Sequence, residues 1–359
     1  MEITGTESWI LRVPFIRTSA DHDNAHHELI GVTLHADGQT GMGYSFITDT
    51  AGGAAVKSLL DTLLLPKLIG RSVHDVQKIW QEFFLLTHRM GTGINRFAMA
   101  SIDIAMWDLK SKANGVSLAK ELGQLTDSVP VYGSGKAGTR LSVDELVELS
   151  VGYVEEGFDA VKIRVGLNPD LDVERVSKVR AAVGPNIRIM CDANERLSLP
   201  EALTLGRGLA DQDVFWFEEP VLSTDIEAHK ILSKKLPMTI VGGEHHCSAA
   251  EFVPYVNARA FGILQPNACM VGGITEIMRI AKLAELHGLG FAPHLMTELH
   301  VHVAAATTST TYVEYFPFLE PYTTSASKVA VSGGRAQVPT APGHGIEFTA
   351  ETFDKYQTA

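Results

Sequence analysis

Eight short apolar runs, at residues 129–132, 160–163, 187–191, 214–217, 239–241, 260–264, 290–292 and 312–313, divide most of this chain, and helical stretches such as 143–155, 172–182, 200–208, 225–232 and 274–286 separate them. A parallel strand pair needs a crossover of this length, so the alternation predicts βα units and a parallel sheet. Eight strands suggest a closed barrel, although an open doubly wound sheet gives the same pattern. The position of the polar groups separates the two, because a barrel collects functional side chains at the C-terminal ends of many successive strands. Seven runs end in this way: AVKIR at Lys162 and Arg164, IRIMCDAN at Asp192 and Asn194, VFWFEEP at Glu218 and Glu219, IVGGE at Glu244, ILQPN at Asn267, GFAPH at His294 and YVE at Glu314.

Residues 1–125 read differently. Residues 28–46 alternate apolar and polar about Asp37-Gly38, a two-residue hairpin signal. Helical patterns follow at 54–65, stopping at Pro66, at 75–86, and at 96–112, ending at Asn114-Gly115. The expected organisation is an α+β capping domain over 1–125 and a barrel over 126–320. A polar C-terminal segment over 321–359 ends in APGHGIEF and is expected to return to the cap.

The balance of 30 Lys+Arg against 42 Asp+Glu gives a net charge of −12, and no basic run offers the counterion-displacing stripe of a nucleic-acid binder. No stretch approaches the roughly 18 apolar residues of a membrane span, and the start MEITG lacks a basic-then-apolar leader pattern. A soluble, cytoplasmic protein is expected, with no nucleic-acid or membrane partner. Cys191, Cys247 and Cys269 form no CxxC pair and read as reduced thiols.

Asp192, Glu218 and Glu244 follow one another at a constant interval of 26 residues, a plausible length for one βα unit. Three carboxylates at one height on adjacent strands repel strongly unless a cation cancels their charge. Oxygen-only donors favour Mg2+ over a softer metal. Any one acid alone could be a helix cap; the shared register argues for a site. Asn194 and Glu219 read as caps or as hydrogen-bond partners of the ligands. Lys162 is costly to bury as a cation, and a nearby metal and Arg164 would lower its pKa toward that of a base; the alternative is a structural salt bridge. His294 reaches the centre from the opposite side. Two patterns are set aside: the contiguous Glu244-His245-His246-Cys247 cannot all face one ion, and His300 and His302 read as packing or surface groups. No GxGxxG, P-loop, GxSxG or HExxH element occurs.

The helix SIDIAMWDLKSKANGVSLAKELG, the elements KIR, DAN, WFEEP and GGE, the segment QPNACMVGGITE, the following PH and the closing PGHGIEF together resemble the mandelate racemase-like subgroup of the enolase superfamily. The resemblance implies a modified (β/α)7β TIM barrel under a cap built from both chain ends. It implies Mg2+ on Asp192, Glu218 and Glu244, and abstraction of the proton α to a carboxylate. Ser134 and Glu314 match groups that contact the substrate carboxylate, Glu314 as a protonated donor, while Lys162 and His294 match the acid/base pair. Mobile N-terminal loops select the substrate in this family. Their counterparts here are residues 18–27, with His22 and His26, and the turn after Phe46; Lys136 and Asn194 are further candidate substrate contacts. Family members are often symmetric oligomers, so a homo-oligomer is expected.

Two departures bear on the chemistry. Arg164 stands where better-known members carry a second lysine, and it stays protonated. Asn267 replaces the aspartate that normally pairs with the histidine; it can hold the ring by a hydrogen bond but cannot stabilise imidazolium. This imbalance favours elimination over two-base racemisation. The leading expectation is a dehydratase acting on a polyhydroxylated sugar acid, giving a 2-keto-3-deoxy product. A racemase, epimerase or lactone cycloisomerase is the alternative, and a non-catalytic metal-binding homologue a third reading that the intact acid triad opposes.

Overall fold

The computed structural model describes residues 1–14, 26–48, 51–134 and 141–358. The cap opens with β1 (Gly5–Pro14), β2 (His26–Ala36) and β3 (Gln39–Thr48), an antiparallel meander. Asp37 and Gly38 both take positive φ, 45° and 77°, as a type I′ turn requires. Helices α1 (Gly53–Leu59), α2 (Val76–Thr87) and α3 (Ile94–Ala113) follow. Regular α geometry ends at Leu59, before the expected stop; a wide turn over Leu60–Leu64 leads into a tight one holding Pro66.

α3 lies directly on β3. A Cβ at Gly41 or Gly43 would sit 2.4 or 2.3 Å from α3 backbone atoms, so only glycine permits this approach. The helix is buried on most of its circumference, and its polar residues are spent on tying the cap together. Asp108 accepts from the backbone N–H groups of Met42 and His344 and from Lys112 Nζ, which explains why the closing PGHGIEF docks here. Asp103 accepts from the N–H and hydroxyl of Thr275, and the Trp107 indole donates to that same hydroxyl.

After the short α4 (Leu118–Glu121), the chain alternates β4 (Ser128–Gly133), α5 (Val143–Glu155), β5 (Ala160–Arg164), α6 (Pro169–Val183), β6 (Arg188–Asp192), α7 (Leu199–Ala210), β7 (Val214–Glu218), α8 (Ile226–Lys235) and β8 (Thr239–Gly242). It continues through α9 (Ala249–Ala258), β9 (Ile263–Leu264), α10 (Ala268–Val271), α11 (Ile274–His287), β10 (Gly290–Phe291), α12 (Thr297–Ala304) and β11 (Val313–Tyr315). Periodicity does not single out α9, because Pro254 lies inside it. The strands pair in parallel from β4 to β10 in chain order; β11 pairs with β4, and Phe291 bridges Thr310. The ring of eight strands with seven helical crossovers is a (β/α)7β barrel, and no described helix is long and apolar enough to cross a membrane.

Period-two alternation sorts the barrel residues. Tyr132, Ala160, Met190, Trp216, Val241, Ile263, Ala292 and Tyr312 form an interior cluster, while Val161, Ile163, Cys191 and Phe217 belong to the large core shared with the helices. The segment after Glu320 has two destinations rather than the one expected. β12 (Val331–Ser332) and β13 (Arg335–Gln337) form a hairpin, and β13 pairs with β4 of the barrel. The chain also reaches the cap, through Tyr322 on Pro14, through His344 on Asp108 and Met42, and through α13 (Ala350–Tyr356) and β14 (Gln357–Thr358), which pairs with Ile10 and Leu11.

The Asp103–Thr275–Trp107 group joins cap to barrel and gives a pH signature. Burial pushes the Asp103 carboxyl up to about 7 against the two bonds from Thr275. A raised acid keeps its proton longer in the folded state, so folding stability falls as pH rises from about 4 to about 7. Thr275→Val keeps the shape but strands the Trp107 and Asp103 groups. It should cost about 2–4 kcal/mol in denaturant unfolding at pH 7, whereas Asp103→Asn should flatten the slope between pH 4 and 7.

Candidate active site

The inward positions one pleat above the interior cluster carry the polar groups that the strand ends predicted. Strand register places Arg164 opposite Asp192 and Asp192 opposite Glu218. Asp192, Glu218 and Glu244 are buried, and each offers an oxygen within 4.8 Å of the others. Trp216 supports Glu218 from below, its indole N–H donating to Oε2 at 3.0 Å.

The cations and the fourth acid surround this group. Lys162 Nζ lies 2.7 Å from Glu218, 3.2 Å from Glu314 and 3.4 Å from Asp192. Arg164 Nη1 lies 2.5 Å from Asp192 Oδ2. Across from them, His294 Nε2 lies 3.3 Å from Glu244 and 3.9 Å from Glu314. Ser134 Oγ and the Leu295 N–H donate to the two oxygens of Glu314 at 2.6 and 2.8 Å.

Among the protein's own groups, the electrostatics run opposite to two expectations for a metal- and substrate-bound site. Burial alone would lower the Lys162 pKa, but Glu218, Glu314 and Asp192 outweigh it and hold the ammonium well above its usual value; a divalent cation on Asp192 and Glu218 would weaken that hold. Glu314 was expected as a protonated donor. Burial favours that form, but Lys162 and His294 outweigh burial and hold Glu314 low, and both its oxygens accept hydrogen bonds. Burial and then Asp192 push Glu218 well up. Asp192 itself is held low by Arg164 and Lys162 against burial, and burial lowers His294 despite Glu244 and Glu314.

Asn267 does not hold the His294 ring. It caps α10, its Oδ1 accepting from the Cys269 N–H, and its amide donates to the His294 backbone carbonyl at 3.0 Å. It positions the residue, and Nδ1 of the ring has no hydrogen-bond partner among the described residues. Asn194 serves the acid cluster: its amide donates to Glu244 at 3.3 Å and its N–H to Asp192 at 2.8 Å. Residues 194 and 195, with positive φ, turn Glu195 toward Glu219 and His245. His26 opens β2 opposite Pro14, in the cap; His22 and Lys136 lie outside the described residues. One residue that sequence reasoning undervalued is Gln265. Ile263 belongs to the interior cluster, so Gln265, two positions on, follows the inward face of that strand; it is buried, and neither amide atom is bonded. Its signal was an amide at a strand end in register.

The run 244–247 separates as contiguity requires. Glu244 joins the acid triad, His245 pairs with Glu219 at 3.0 Å, and His246 packs against Phe252 and Tyr255. His300 and His302 are packing groups and not surface ones, each buried and bonded through both ring nitrogens.

A capped (β/α)7β barrel with a triad of acids at its strand ends is the architecture of the enolase superfamily. The mandelate racemase/muconate lactonizing enzyme N-terminal domain matches residues 3–123, and the enolase C-terminal domain-like family matches 145–352. The chain belongs to this mandelate racemase-like family. It is 33% identical over 361 residues to a 3,6-anhydro-alpha-L-galactonate cycloisomerase of Streptomyces coelicolor, covering 99% of each protein. It is also 33% identical to the L-talarate/galactarate dehydratase of Salmonella typhimurium, over 87% of this chain and 78% of that one. The crystal structure of the L-talarate dehydratase from Polaromonas sp. JS666, complexed with Mg and L-glucarate, superposes with a TM-score of 0.92 at 33% identity, covering 100% of this chain and 98% of that one.

The residues present fit Mg2+, the family's metal. Four buried carboxylates, Asp192, Glu218, Glu244 and Glu314, face two cations, Lys162 and Arg164, which leaves two negative charges to be balanced. Oδ2 of Asp192 is met by ion pairing with Arg164, and neither it nor Oε2 of Glu244, 3.3 Å from His294 Nε2, makes a hydrogen bond among the described residues. Asp192→Asn should weaken Mg2+ binding by more than about 100-fold in calorimetric titration, and Asn194→Ala by about tenfold, as when only an orienting neighbour is lost. A reversed order would place the ion elsewhere.

Proposed function

We propose that this protein is a Mg2+-dependent hydro-lyase that removes the proton α to the carboxylate of an aldonate or aldarate and expels the β-hydroxyl, giving a 2-keto-3-deoxy acid. The observation that carries the reading is the placement of Lys162 and His294 on two sides of one buried acid cluster, with Glu314 between them at 3.2 and 3.9 Å. Bound on Asp192, Glu218 and Glu244, Mg2+ would supply the countercharge that lets a substrate carboxylate enter and that acidifies its α-proton.

The chain's own groups divide the remaining work. Glu314, held by Ser134 and Leu295, meets the far side of the substrate carboxylate, whose negative charge would favour the protonated, hydrogen-bond-donating form of Glu314, and Arg164 fixes Asp192. Of Lys162 Nζ and His294 Nε2, one takes the α-proton and the other returns a proton to the departing β-oxygen. The C–H electrons become the new double bond as the C–O bond breaks, water leaves, and the enol ketonises. Two-base racemisation needs a matched acceptor on each face of the carbon. The absence of any carboxylate on His294 Nδ1 among the described residues, with Asn267 spent on the backbone, supports elimination instead.

A second reading rests on the cycloisomerase that matches this chain over 99% of both lengths. A 3,6-anhydro acid carries its ether oxygen on the carbon β to the carboxylate, so the same proton abstraction would open a ring in place of losing water.

A library of sugar acids assayed with Mg2+ in D2O tests both readings. Lys162→Ala and His294→Asn should each reduce turnover by about 100-fold or more, and only the variant lacking the α-proton base should also lose exchange of the substrate α-hydrogen with solvent. Deuterium incorporation with inverted configuration and no 2-keto product would overturn the lyase. Glu314→Gln should lower kcat more than it raises KM; no change in either would make Glu314 a scaffold residue.

A further inference from the structure

A cavity of about 920 Å³ lies between the cap and the outer side of the barrel, within the size range of small-molecule sites. Its walls come from α2 and the start of α3 on one side, and from the loops after β7 and β8 with the first turns of α9 on the other. None of Asp192, Glu218, Glu244, Lys162, His294 and Glu314 lines it.

Two buried polar residues line this space, one from the cap and one from the barrel. Arg96 is 3% exposed, yet no carboxylate lies within ion-pair distance of it among the described residues, and Nε makes no hydrogen bond. Its guanidinium rests over the rings of Phe84, at 4.7 Å, and Trp80, at 5.7 Å, and its one recorded polar contact is Met99 Sδ at 3.8 Å. A buried guanidinium without a counter-ion is expensive, and a stacked face leaves its N–H edge for an anion. From the barrel side, His246 is buried and its Nδ1 is unpartnered.

The nearby acids are already committed. Glu251 accepts from the Cys247 N–H and Glu276 from the Ala249 N–H, and Glu276 pairs with Arg279 at 2.7 Å. Arg279 itself lies over Trp80. The walls thus carry Arg96 and Arg279 against Glu251 and Glu276, and of the two arginines only Arg96 has no ion pair among the described residues; the nearby acids leave room for a single negative charge and oppose a dianion. Trp80, Phe84, Pro254 and Tyr255 give the rest of the space an apolar lining for a carbon skeleton.

We propose that this cavity binds a small organic monocarboxylate, with the Arg96 guanidinium taking the carboxylate. The site stands on its own geometry and does not depend on the reaction proposed above.

The test is a titration of the full-length protein with 4-fluorobenzoate in Mg2+ buffer, followed by fluorine NMR line width. The wild type should broaden the signal saturably. Arg96→Met should weaken binding about tenfold or more, the loss expected for a charge-assisted contact. Ala250→Trp, on an exposed lining position, should block the cavity with Arg96 intact, so the proposal stays testable if Arg96→Met fails to fold. Asp192→Asn should bind the probe as the wild type does. No saturable broadening in the wild type overturns the proposal, as does binding lost in Asp192→Asn but kept in Arg96→Met and Ala250→Trp, which would put the probe at the acid triad. Tighter binding of inorganic phosphate, read by displacement of the probe, would overturn the monocarboxylate assignment.

Discussion

Four carboxylates share one small volume at the mouth of this barrel, and among the described residues two cations, Lys162 and Arg164, meet them. Water cannot screen such a group, because Asp192, Glu218 and Glu314 are almost wholly buried and Trp216, Tyr132 and Tyr312 close the barrel beneath them. With all four ionised, the cations among the described residues leave the charge unbalanced by two; burial and this excess together push Glu218 toward its neutral form. The lysine and arginine that do sit there are drawn onto Glu218 and Asp192, which raises the lysine in place of lowering it. A divalent cation with its own share of those oxygens is what the arrangement lacks, and the chemistry of a carbon acid needs the same charge.

Everything else in the barrel fixes that height. Because side chains alternate along each strand, a residue two beyond the interior cluster must also point inward. Ala160 leads to Lys162, Met190 to Asp192, Trp216 to Glu218 and Tyr312 to Glu314. Parallel register then aligns Arg164, Asp192 and Glu218 in one row. A shift of one residue in any of these strands would send its functional group into the core shared with the helices.

This is why the site was legible in the sequence while its finer wiring was not. Apolar runs ending in polar residues report the strand, its face and its end, and those three facts place the acid triad, Lys162 and His294. Asn267 follows the same rule in sequence but lies past the last strand residue, where capping a helix competes with facing the centre; its amide went to backbone. The hairpin over residues 331–337 was hidden by strands of two and three residues, too short for any period to appear. Arg96 read as an ordinary helix position, and only the packing of the cap on the barrel buries it.

That packing runs chiefly through α3. The cap is held to the barrel by a few directional contacts from this one helix and its neighbour α2, not by a continuous sheet: Asp103 and Trp107 meet the first turn of α11, and Trp80 donates to the Gly272 carbonyl just before it. Gly273 is the point of closest approach, since a Cβ there would lie 2.4 Å from Asp103 Oδ2. The shape of the segment GGIT is therefore set by its own geometry: two glycines at positive φ bring the N-terminus of α11 against a buried carboxylate. The same α11 leads into β10, three residues before His294, so the contact that seats the cap also seats one wall of the acid cluster. Reacting groups tolerate little misplacement, and in this chain a buried aspartate at a helix N-terminus, with Trp80 and Trp107 beside it, sets the distance between cap and barrel.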